Sequence, residues 1–82
     1  MKQILTLKFE NPNALANLGK MILSKWPSEI TEVNFDPGNP GLNNPEEKRV
    51  ASLQFACPNT VSGEVIMLSI HLPGVKIEMQ QL

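Results

Sequence analysis

The chain has one cysteine and one histidine, so Cys57 and His71 are its only possible thiolate–imidazole pair. Such a pair needs the base within hydrogen-bond reach of the nucleophile. The alternation of the chain opposes this. Cys57 shares a face with Leu53 and Phe55, whereas His71 goes with Met67 and Ser69, opposite Ile66, Leu68, Ile70 and Leu72. If both apolar faces enter one core, the thiol and the imidazole leave the sheet on opposite sides, unless a bulge reverses one of them. Cys57 therefore reads as a buried structural thiol.

Ser69 and His71 stand two residues apart, with Glu78 able to lie across from them. A serine–histidine–carboxylate triad also needs oxyanion donors and a nucleophile held at an edge or elbow. No motif for either is present, and the three read as a polar strand surface.

Zinc wants three or four Cys, His or carboxylate ligands, more Cys and His than this chain offers. Asp36, Gly41 and Glu47 match positions 1, 6 and 12 of a calcium loop, but positions 3 and 5 would be Gly38 and Pro40, which carry no side-chain oxygen. That match is read as chance. Phosphate cradling calls for a glycine-rich turn entering a helix, and here the segment is Glu10-Asn11-Pro12-Asn13. No cofactor or metal is expected. For nucleic acid, Phe9, Phe35 and Phe55 fall on the inferred core faces, and Lys48, Arg49 and Lys76 make no basic stripe.

The elements that must position these residues follow from periodicity. Residues 3–9 alternate, with Leu5, Leu7 and Phe9 on one face and Ile4, Thr6 and Lys8 on the other, as a half-buried strand does. Asn11-Pro12 suits a helix start. Leu15, Leu18, Ile22 and Trp26 then form one stripe of a helix over 12–26 that Pro27 ends, with Trp26 closing the core. Gly19, beside that stripe, predicts close approach of the helix to a sheet. Residues 29–35 read as a strand with Thr31, Val33 and Phe35 on one face, giving a right-handed strand–helix–strand crossover.

Residues 36–49, DPGNPGLNNPEEKR, form a long loop that neither helix nor ladder can cross, with Asn44-Pro45-Glu46-Glu47 resembling a capped single turn. Loops of this length in small domains are often functional. Asp36, Asn39, Leu42, Asn43, Glu46 and Glu47 are its candidate binding residues. Three alternating runs follow: 50–57, then 65–72 after a turn at 58–63, then 75–80 after a type II turn at Pro73-Gly74.

Eighty-two residues make one domain of nearly balanced charge, −1 net, which supplies no field to steer nucleic acid or an anionic membrane. No stretch has the length of a membrane-spanning helix, the N-terminus lacks a signal-peptide pattern, and one cysteine permits no internal disulfide. A cytoplasmic protein is expected.

The expected fold is a single α+β domain, residues 1–82, with a mixed or antiparallel sheet of four or five strands and one helix on one face. It is compatible with ferredoxin-like variants, except that only one helix is legible. The face without the helix would show Ile4, Val50, Ala56, Val65, Met67 and His71, a candidate interface too apolar to stand bare. The expected function is a non-enzymatic protein–protein interaction module: a homodimer, or a small subunit, regulator, inhibitor or accessory protein of a larger complex. The alternative is single-stranded nucleic-acid or small-ligand binding on that same face.

Overall fold

Asn11 begins the first helix as its sequence demands. Its backbone is extended (φ −100°, ψ 104°), and its Oδ1 accepts hydrogen bonds from Asn13 N–H at 3.0 Å and Ala14 N–H at 3.1 Å. The computed structural model describes residues 1–82. Its elements run β1 (Lys2–Phe9), α1 (Pro12–Lys25), β2 (Thr31–Asp36), a 3-10 turn (Pro45–Glu47), β3 (Ala51–Pro58), α2 (Asn59–Ser69) and β4 (Lys76–Gln81). The expected α+β architecture with one antiparallel sheet is present, with four strands.

The strand order is β2-β3-β1-β4, antiparallel throughout. β1 and β2 are therefore parallel but separated by β3, and β3 and β4 are likewise separated by β1. This is the split β-α-β, ferredoxin-like arrangement. The expected crossover joining β1 to β2 exists, but β3 is inserted between its two strands.

The run 65–72 differs from the strand its alternation predicts, and 58–63 is not the predicted turn: α2 starts at Asn59 and ends at Ser69, so the sheet carries two helices where the sequence pattern predicts one. A run apolar at nearly every position satisfies a helical period as well as an alternating one. Val65 and Ser69 are buried on one side of α2, with Val61, Leu68 and Leu72 packed partly against the core. Its two buried serines satisfy their hydroxyls within the helix: Ser62 Oγ donates to Asn59 O at 3.1 Å and Ser69 Oγ to Val65 O at 2.8 Å, so neither is left unpaired in the core. The Pro73-Gly74 turn forms as expected, closed by Val75 N–H donating to Leu72 O at 3.1 Å.

The core lies between the helices and one sheet face. Leu5 and Leu7 of β1, Leu53, Phe55 and Cys57 of β3, Leu15, Leu18 and Ile22 of α1, and Val65 of α2 are all buried. Trp26 closes this core, as expected, with Lys25 Nζ 5.5 Å above its ring. A Cβ on Gly19 would meet Leu53 Cδ2 at 3.1 Å, which is the predicted close approach of α1 to β3.

β2 departs from simple alternation. Glu32 has φ +56° and the pairing slips between Thr31 and Asn34, a β-bulge. Thr31 consequently lies opposite Ala56 and Phe35 opposite Leu53. Thr31 and Phe35 thus face opposite sides of the sheet, where the alternation had placed them together.

Candidate functional site

The helix-free face is built from the even-numbered residues of β1, β3 and β4. Cross-strand register lines up Glu78, Thr6, Gln54 and Asn34 in one row, and Gln80, Ile4, Ala56 and Thr31 in the next. Gln54 Nε2 donates to Thr6 Oγ1 at 3.2 Å, and Lys8 Nζ sits 2.9 Å from Glu78 Oε2. The surface is therefore mainly polar.

Of the six residues assigned to it, Ile4 and Ala56 are there, with Val50 half exposed just before β3. Val65, Met67 and His71 are not. The helical course of 59–69 takes them to the opposite layer, where Val65 is fully buried, Met67 is exposed on the outside of α2, and His71 lies in the turn after it. Ala56, although on the open face, is only 1% exposed, because a methyl group between Ile4 and Thr31 is covered by its neighbours. The apolar surplus inferred for this face is thereby reduced to Ile4 and Val50.

Neither candidate catalytic set assembles. Ser69 spends its hydroxyl on Val65 O inside α2, and Glu78 is engaged by Lys8 across the sheet. Cys57 is buried at the end of β3, and burial pushes its thiol pKa up, so the thiolate is disfavoured. The open face also lacks a stacking platform, since Phe35 and Phe55 lie on the helix side and Phe9 packs at the margin of the core.

The 36–49 loop is a folded lobe. Asn39 and Arg49 exchange main-chain hydrogen bonds of 2.9 Å, closing its base. Asp36 Oδ1 accepts from Gly38 N–H at 2.8 Å, and Asn39 Oδ1 from Gly41 N–H at 2.8 Å. Asn44 caps the predicted single turn through its Oδ1 and Glu46 N–H. Gly38 is required here: its φ is +77°, and a Cβ would stand 2.6 Å from Arg49 O. The Gly38 N–H, and secondarily the Arg49 guanidinium at 3.3 Å, hold the Asp36 carboxyl below the usual carboxylate range. Asp36 and Asn39 therefore serve the lobe's own architecture. Leu42, Asn43, Glu46 and Glu47 are the members of the set left facing solvent, with Leu42 87% exposed. Nowhere do three His, Cys, Asp or Glu residues converge as a metal would need.

Two surfaces were not anticipated, because both depend on α2. One is an apolar groove of about 400 Å³ between the helices, lined by Ala14, Leu18, Met21, Leu68, His71 and Leu72. The other is the helix-side fringe of the sheet. α1 and α2 cover β1 and β3 but leave Val33 and Phe35 of β2 and Met79 of β4 between 38% and 54% exposed. The alternation of 75–80 had placed Met79 on an apolar face; its exposure follows from the edge position of β4.

The fold defines a small ferredoxin-like α+β domain. It is similar to a solved structure, the uncharacterized protein TM1266 from Thermotoga maritima, with a TM-score of 0.67, 16% sequence identity, and coverage of 95% of this chain and 91% of that one. At that identity the likeness concerns the fold. No family model matches the chain. No curated protein matches it. No helix is long and apolar enough to cross a membrane.

Proposed function

We propose that this chain is a non-enzymatic protein–protein interaction domain that works in the cytoplasm as a homodimer or as a small subunit or regulator of a larger complex. The observation that carries this reading is the uncovered fringe of the sheet. Both outer strands have one unpaired backbone edge, and both expose apolar side chains beside it: Val33 and Phe35 on β2, Met79 on β4. An unpaired edge next to apolar surface is a template for another chain. The state of the nucleophiles supports the same reading, since Cys57 is buried and Ser69 is consumed by its own helix.

Sedimentation velocity of the purified chain over a micromolar concentration series, with affinity capture from lysate, tests it. Concentration-dependent association, or one specific stoichiometric partner, is the expected result. A strict monomer that retains nothing overturns the reading.

A further inference from the structure

The two edges of the sheet are not equivalent. β2 is bulged at Glu32 and carries only acidic charges, Glu32 and Asp36, so two copies of it would meet with a kinked backbone and like charges. β4 pairs with β1 in unbroken register from Lys76 to Gln81 and carries one charge of each sign, Lys76 and Glu78.

The free groups of β4 can be assigned. Leu82 N–H donates to Lys2 O at 3.3 Å, continuing the register in which Gln81 faces Gln3. The even-numbered residues therefore bond to β1, and alternation leaves the N–H and C=O of Ile77, Met79 and Gln81 pointing outward.

We propose that β4 pairs antiparallel with β4 of a second copy, with Ile77 on the two-fold axis, to make a continuous eight-stranded sheet. This rests on the reading of the chain as an interaction domain and names the partner and the surface. In this register Lys76 lies opposite the partner's Glu78, and Glu78 opposite the partner's Lys76, on the open face. On the helix face Ile77 meets the partner's Ile77, and the half-exposed Met79 meets the partner's Val75. The Val75 N–H is already committed to Leu72 O, which leaves its carbonyl free for the partner's Met79 N–H. Both faces of the strand are thus self-complementary in one alignment, as a two-fold interface requires. Shifting the axis to Glu78 would set two carboxylates against each other.

The test is sedimentation velocity on three forms of the full chain, with amide exchange at Ile77 and Met79 followed as concentration rises. Lys76→Glu turns two attractive cross-strand pairs into two repulsive ones and should weaken self-association about tenfold. The substitution places a carboxylate opposite Lys8 within the same copy, so folding is retained, which circular dichroism checks. The double variant Lys76→Glu/Glu78→Lys should restore association, and the Ile77 and Met79 amides should slow as the dimer forms. Self-association that ignores Lys76→Glu, is not restored by the double variant, or leaves both amides in fast exchange overturns the β4 pairing while the interaction-domain reading stands. A monomer at every concentration overturns the pairing as well, and only the further absence of any retained partner removes the broader reading.

Discussion

Lys8 Nζ and Glu78 Oε2 meet at 2.9 Å along a diagonal of the open face, although the residue directly across from Lys8 in the ladder is Lys76. The diagonal contact relieves a like-charge pair that the β1–β4 register imposes. Both side chains are well exposed, so the stabilisation is small. Glu78→Gln should lower unfolding free energy by less than about 1 kcal/mol, with the difference vanishing in high salt. Urea titrations at two ionic strengths measure this.

Cys57 should resist thiol reagents in the native protein and react freely once unfolded, because its side chain is buried and its thiolate disfavoured. The sign of the pH effect follows. The folded-state pKa lies above the unfolded one, so the unfolded chain loses its proton first. Any contribution is complete below the ordinary thiol value of about 8.5 and declines as pH rises past it. Denaturation of the native chain and of Cys57→Ala from neutral to alkaline pH should show a fall in stability that the variant lacks.

The lobe should depend on Asp36 and Gly38. The depressed Asp36 pKa means its contribution is present above about pH 3.9 and is lost as pH falls through the lower folded-state value. Asp36→Ala should accelerate amide exchange across residues 37–49 while leaving β1 and α1 protected. Gly38→Ala forces a side chain into a left-handed backbone and against Arg49 O, and should cost about 2 kcal/mol or more. Chemical denaturation and exchange mapping check the pair.

Gln3 is an anomaly on the core face of β1. It is 7% exposed and its Oε1 has no hydrogen-bond partner. Burying an unsatisfied acceptor is unfavourable, and methionine has similar length without it. Gln3→Met should raise stability by about 1 kcal/mol, read as a higher urea midpoint at unchanged slope.

β1, α1 and the capped turn at Asn44 could be read from sequence because each carries a signal of a single period or a specific cap. Leu5 and Leu7 alternate without ambiguity, and Asn11-Pro12 and Pro27 punctuate the helix. Val65 to Leu72 carried no such discrimination: apolar residues at almost every position fit a strand as well as a helix, and α2 has no side-chain cap to mark its start. That single ambiguity moved Val65, Met67 and His71 to the wrong layer and hid both the interhelical groove and the edge character of β4. The bulge at Glu32 escaped for another reason, since a non-glycine residue at φ +56° leaves no compositional trace.

The strand order also bears on how the chain reaches its native state. β1 is the first of the four strands of this sheet to be synthesised, yet both of its neighbours come later, from residues 51–58 and 76–81. Until Lys76 and its successors emerge, one flank of the central strand stays open, and pairing across such spans closes large loops. Folding of this sheet is therefore expected to wait for β4 and then to be abrupt, with β1 and α1 exposed to chaperones until that strand docks.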